Sequence, residues 1–304
     1  MLEMSAREKF LFDVQGYLVV KGLLTSEEVA ELNQAVDANH DLVHVDNNQN
    51  IGSSTTLGGT GKRQMLSNLL TLPHPWCEPF RALLAHPRMI PYLNTMLGPG
   101  WKLDHAPAIF MADPGAEGLL LHGATAAAAE IFDAGAPQSD HSGLAGRVPD
   151  FARTYRYANG AMRCGLVSVE FHLVSHEEGE GGFCAIPGSH KANFEVPDGI
   201  KRWEEDREIV RNPAADAGDV VIFNEATVHG TLPWTADHER RSVLYRYSPR
   251  YLHYAGGYAS MTLPSWVDEL TEAQRAVLEP AHVYQRPVIQ DDGSTVLVEQ
   301  RAKR

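Results

Sequence analysis

Residues 165–173 read GLVSVEFHL, residues 181–191 GGFCAIPGSHK, residues 217–223 AGDVVIF and residues 229–241 HGTLPWTADHERR. In the first run Val167, Val169, Phe171 and Leu173 alternate with Ser168, Glu170 and His172. That period of two predicts a strand with one apolar and one polar face. A lone strand of this kind would turn its polar face to solvent. Here further strands are expected at 219–223 and 241–247, so the polar face is expected to line a barrel cavity. The Gly-rich run ending in Pro187-Gly188-Ser189-His190-Lys191 makes the turn between the strands.

The most informative pairing is His229-Gly230-Thr231 with Arg240, eleven residues after the histidine. Arginine is a permanent cation whose planar fork matches a carboxylate. On a barrel strand it needs an anion, which Glu170 or a bound dicarboxylate can supply. The Thr231 hydroxyl can donate to the same carboxylate, whereas Arg241, of opposite parity, is expected to face solvent. Upstream, Leu119-Leu120-Leu121 leads into His122-Gly123, 107 residues before His229. Either histidine alone is more often a cap or core residue than a metal ligand. Two strand-end histidines, each followed by glycine, can meet at one barrel mouth, with the glycines allowing close backbone approach. His190 reads as a turn residue, and Asp104-His105 as a buried or cavity-lining pair. His172 is open to a substrate, cosubstrate or supporting role, and Cys184 reads as a small buried residue.

Outward from this stretch, Gly16–Val20 predicts a short strand. Thr25-Ser26-Glu27-Glu28 is a capping box opening a helix over 26–38. Residues 46–61 form a polar loop. Residues 79–97 give one or two helices broken at Pro87, and residues 101–111 a strand. Residues 124–159 are irregular and, with 46–61, are candidate lids. A helix is expected over 265–278 and a frayed tail from Gln290. The 304 residues carry 26 basic and 39 acidic side chains, a net charge of −13. That balance, without a Lys/Arg cluster, argues against a nucleic-acid partner and against anionic membrane surfaces. No apolar run approaches the ~20 residues of a membrane span, and no signal peptide is visible. Three scattered cysteines fit a reducing cytoplasm better than a disulfide framework.

The blocks at 181–191 and 217–223, the His229/Arg240 spacing and the opening strand and helix together resemble the phytanoyl-CoA dioxygenase family of iron(II)/2-oxoglutarate oxygenases. The resemblance spans about residues 10–250. It implies a mainly β fold: a double-stranded β-helix (jelly-roll, cupin-like) core with N-terminal and flanking helices. On this reading residues 1–304 form a single domain, with a C-terminal helical extension from about 251. The resemblance also implies Fe(II) held by His122 and His229, 2-oxoglutarate held by Arg240 and Thr231, O2 as oxidant and a small organic substrate that is hydroxylated. His172 is a further candidate at the cosubstrate. The family's proximal motif is His-x-Asp, but here His122-Gly123-Ala124 offers no acid. Three readings stay open. Another acid completes the site, Glu170 first and Asp133 or Asp140 after it; the site is open for a halide, as in related halogenases; or the chain binds without turnover.

Overall fold

The computed structural model describes residues 3–47, 49–123, 153–254 and 264–297. In chain order the regular elements begin with α1 (Ala6–Gln15), β1 (Tyr17–Val20), α2 (Ser26–Ala38), β2 (His44–Val45) and β3 (Gln64–Leu66). Next come α3 (Glu78–Leu83), α4 (Ile90–Leu97), β4 (Lys102–Ala112), β5 (Leu119–His122), β6 (Tyr155–Ala158), β7 (Ala161–Cys164) and β8 (Val167–His172). The rest are β9 (Gly182–Ala185), α5 (Asp198–Lys201), β10 (Val220–Asn224), β11 (His229–Leu232), β12 (Arg240–Ser248), α6 (Glu272–Leu278), β13 (Pro287–Ile289) and β14 (Thr295–Leu297).

The protein is mainly β. Seven strands form a sheet in the order β1-β10-β8-β12-β4-β3-β2, and β5-β11-β9 form a second. Alternation along the strands assigns the two faces of the large sheet. Val167, Val169, Phe171, Val220, Ile222, Val243 and Tyr245 face a core shared with α2, α3 and α4. Burying side chains of this size is worth roughly 1.5–3 kcal/mol each. The opposite face meets the small sheet through Tyr17, Val221, Phe223 and Leu244 packed against Phe183 and Ala185. Ser168, Glu170 and His172 lie on that inner face and are buried, so the polar side of β8 lines the interior rather than solvent.

Several local readings change. Residues 6–15 form a helix that the apolar pattern hides. Ser5 and Glu8 make a capping box at its start, and Gly16 closes it in the left-handed conformation at φ 80°. Asn159 and Gly160, both at positive φ, turn β6 back onto β7. This is the Asn-Gly hairpin signal at the end of a segment expected to be irregular; residues 124–152, including Ala124, Asp133, Asp140 and His141, lie outside the described residues. The helix expected over 265–278 is two pieces: a short 3-10 turn, Ser265–Glu269, and α6, which starts from its own capping box at Thr271.

The tail, expected to fray from Gln290, is paired as far as Leu297, the last described residue. β13 pairs with β14, and Val288 and Ile289 are buried. Its anchor is Arg286, 1% exposed. Its guanidinium donates to the carbonyls of Gly100, Trp101, Ala276, Glu279 and Pro280, tying the tail to α6 and the start of β4. Arg286→Met would strip those buried carbonyls of their donor. A loss of about 3–5 kcal/mol is expected from that penalty, read as a lower urea midpoint. An unchanged midpoint would show that the tail contributes nothing to stability.

Candidate metal centre and anion pocket

β11 pairs with β5 so that His229 stands opposite His122. Their rings lie 4.3 Å apart between centroids. The third member is Glu225, four residues before His229, in the turn between β10 and β11. One ligand atom from each of His122, Glu225 and His229 falls within 4.8 Å of the other two. His229 Nε2 is 3.6 Å from Glu225 Oε2.

The remaining polar atoms of these side chains are committed elsewhere. His122 Nδ1 lies 3.0 Å from the Leu120 carbonyl and His229 Nδ1 2.7 Å from the Thr227 carbonyl. A carbonyl only accepts, so each Nδ1 carries the proton and each Nε2 keeps its lone pair for a ligand. The same division holds in Glu225. Its Oε1 accepts from Ser168 Oγ and from Arg246 Nε, leaving Oε2 on the histidine side. Burial pushes the pKa of His229 down to about 4, with His122 adding to the effect. Protein crowding on the inner side of His122 lowers its pKa as well, although its outer edge is exposed. Burial would raise Glu225, but His229, Arg246 and the Ser168 hydroxyl outweigh it and hold the carboxyl at about 2. Two neutral imidazoles and one carboxylate are therefore in the protonation states a divalent metal requires, and this donor set suits iron(II) with open positions.

The turn carrying Glu225 and His229 is fixed from several sides. Ala226 N donates to Asn224 Oδ1, and Thr227 N to the Asn224 carbonyl. The Thr227 hydroxyl donates to the Gly16 carbonyl, and Val228 N to Ser189 Oγ. Gly123, at φ 125°, lies so close to this turn that a Cβ would sit 2.4 Å from the Thr227 carbonyl oxygen. A Cβ on Gly230 would likewise meet the Leu119 carbonyl oxygen at 2.9 Å. The glycine after each histidine thus admits neighbouring backbone, rather than the ligand that the sequence suggested. His190 is structural, as expected: buried, with Nε2 3.1 Å from the Asp13 carbonyl and its ring against Tyr155.

Deeper along β8 and β12 lies a second polar cluster. Arg240 Nη2 donates to Glu170 Oε1 at 2.7 Å, and Arg240 Nε to Ser242 Oγ at 3.3 Å. Glu170, expected as the acid nearest the two histidines, instead takes this cation, and Glu225 stands with the histidines. The reason lies in the register: Glu170 faces Leu244 and His172 faces Ser242 across β12, toward the Arg240 end of the strand. Ser168, at the other end, is the β8 residue that reaches Glu225. His172 is buried, and its Nε2 has no hydrogen-bond partner among the described residues and lies 3.9 Å from Glu170 Oε1. Gly182, at φ 79°, lets the β9 backbone pack close to Arg240; a Cβ there would lie 3.3 Å from Arg240 Nε. Thr231 shares the face of β11 with His229 and stands opposite Phe183. Arg241 leaves the interior and pairs with Asp37 and Glu239. Asp104 is fully buried and accepts from the Tyr254 amide.

Glu225 was the residue that sequence reading missed. Its signal was available: an acid directly after a strand and one turn before a strand-end histidine.

The profile of the phytanoyl-CoA dioxygenase family matches residues 12–242. The chain belongs to this family. No curated protein sequence matches it significantly. Among solved structures, HygX from Streptomyces hygroscopicus with nickel, 2-oxoglutarate and hygromycin B bound is similar at 21% identity and a TM-score of 0.62, over 82% of this chain and 89% of HygX. The epimerase SnoN in complex with Fe3+, alpha ketoglutarate and nogalamycin RO matches at 18% identity and TM-score 0.53, over 85% of this chain and 90% of SnoN. The carbocyclase SnoK from nogalamycin biosynthesis matches at 16% and 0.55, over 86% and 92%. At these identities the likeness establishes a shared fold. As a member of the phytanoyl-CoA dioxygenase family, the chain is a dioxygenase-type enzyme. None of its described helices is long and apolar enough to cross a membrane.

Proposed function

We propose that this phytanoyl-CoA dioxygenase family member is an iron(II)- and 2-oxoglutarate-dependent oxygenase that hydroxylates a small organic molecule, on a double-stranded β-helix core formed within a single domain. The observation that carries the reading is the convergence of His122, Glu225 and His229 with both Nε2 lone pairs free. Iron(II) bound there with 2-oxoglutarate supplies O2 activation coupled to decarboxylation of the cosubstrate to succinate and CO2. The chain's own residues do the rest. Arg240 offers the far carboxylate of 2-oxoglutarate the N–H groups that Glu170 and Ser242 leave unused. Thr231, on the inner face of β11, is the candidate second donor to that carboxylate. Substrate approaches past the exposed edge of His122, beside the partly exposed Arg246. The apolar contact of Tyr17, Phe183, Phe223 and Leu244 keeps water from the interior.

A halogenase needs a coordination position that no protein carboxylate fills. Glu225 beside the two histidines supplies that carboxylate, which favours hydroxylation. The test is aerobic turnover with iron(II) and 2-oxoglutarate. Succinate is expected from wild-type protein, slowly without substrate and faster in the presence of a substrate. His229→Ala is expected to make none. A wild-type protein that binds iron yet yields no succinate would leave a binding function in place of the enzyme.

A further inference from the structure

We propose that the buried Glu170–His172 pair takes up one proton when a carboxylate of 2-oxoglutarate docks on Arg240, making cosubstrate binding proton-linked. This rests on the reading of Arg240 as the cosubstrate anchor. The argument is a charge count in a closed space. Glu170, His172, Arg240 and Ser242 are all buried. In the free pocket one guanidinium faces one carboxylate, at 2.7 Å. Docking the cosubstrate sets a second carboxylate against the same cation, and one negative charge is left over.

Among the described residues no neighbouring cation is free to cancel it. Arg63, on the segment before β3, is 3.3 Å from Asp46. His176, after β8, has its Nδ1 3.3 Å from the Glu177 carbonyl, and its pKa is lowered first by burial. Asp219 is acidic and bound to Lys21, and Cys184, from β9, is a thiol whose pKa burial pushes up to about 12. A buried excess charge is relieved most readily by protonation.

The pair is built to accept that proton. His172 Nε2 is buried without a partner among the described residues and 3.9 Å from Glu170 Oε1. A proton on either atom would draw the two from 3.9 Å to hydrogen-bond distance as a shared N–H···O or O–H···N contact. Before docking, neither group holds it: burial pushes His172 down to about 4, and the charges of Arg240 and His172 hold Glu170 at about 2 against its burial. The sign follows. The complex binds one more proton than the free protein, so affinity for 2-oxoglutarate falls as pH rises. Between pH 6 and 8, where the cosubstrate's own carboxylates stay ionised, Kd is expected to rise by up to about tenfold per pH unit.

The experiment is anaerobic calorimetric titration of 2-oxoglutarate into cobalt(II)-loaded full-length protein at pH 7, in buffers of different ionisation enthalpy. For wild type the apparent enthalpy should vary with buffer enthalpy at a slope of about one proton. For Glu170→Gln, which keeps the shape and removes the charge, the slope should fall to near zero and Kd should become flat with pH. A wild-type slope of zero overturns the proposal, as does an undiminished slope in the variant. If the variant does not fold, the wild-type slope decides alone. Binding without proton uptake removes this proposal and leaves Arg240 as the anchor; no 2-oxoglutarate binding by metal-loaded wild type removes both.

Discussion

Glu225→Ala is expected to weaken iron(II) binding at least as severely as His122→Ala or His229→Ala. Losing a group that merely orients a ligand costs about 10–100-fold in metal affinity, so losing a ligand should cost upward of about 100-fold. The variant removes the only described carboxylate grouped with both histidines. It also leaves Arg246 and Ser168 without the oxygen they now share. Ser168→Ala and Arg246→Gln should cost less, because they leave the donor oxygen in place and only release its orientation. Anaerobic titration of iron(II), or the visible spectrum of the cobalt(II) form, reads all of these. If Glu225→Ala bound iron as tightly as wild type, the third ligand would have to come from elsewhere, and the halogenase reading of His122-Gly123-Ala124 would regain its footing.

Arg240→Met is expected to cost as much stability as Arg286→Met. It strands Glu170, 5% exposed, without its counter-charge, a change that costs about 3–5 kcal/mol where buried pairs are broken. Replacing both partners, Arg240→Met with Glu170→Leu, should recover most of it, since an apolar pair needs no compensation. The pH dependence separates this from simple misfit. In wild type the carboxyl of Glu170 is held at about 2, below its unfolded value. Its contribution is therefore complete above the unfolded pKa near 4.5 and is lost as pH falls toward 2. Without Arg240, only His172 and the Ser242 hydroxyl oppose burial, and that pKa rises. The single variant should then be least stable relative to wild type near neutral pH and recover as acid neutralises the stranded group. A urea midpoint series from pH 4 to 8 checks this. Neither variant should bind 2-oxoglutarate as wild type does, and the stable double variant is the cleaner place to measure that loss.

What sequence could reveal depended on how local each signal was. The alternation in residues 165–173 and the capping box at Thr25 are properties of single segments, and both took the expected form. The histidine pair was legible because each member stands at a strand terminus, His122 closing β5 and His229 opening β11. The partner of Arg240 was not, because choosing between Glu170 and a ligand requires the β8–β12 register, which no local pattern encodes. Glu225 was missed for a similar reason. A search centred on His122 looks two residues downstream for the acid, while the carboxylate grouped with the two histidines comes from the far strand pair, four residues before His229. Arg286 is invisible to pattern reading: a buried arginine answered by five carbonyls has no sequence partner to suggest it.

The bond from the Thr227 hydroxyl to the carbonyl of Gly16 has a consequence for where the catalytic unit begins. The turn that presents two of the three candidate metal-binding groups leans on the end of the amino-terminal helix, more than 200 residues away along the chain. That first helix is thus part of the scaffold of the candidate metal centre. Trimming it should loosen the turn that carries Glu225 and His229 even though no residue near His122 had been touched.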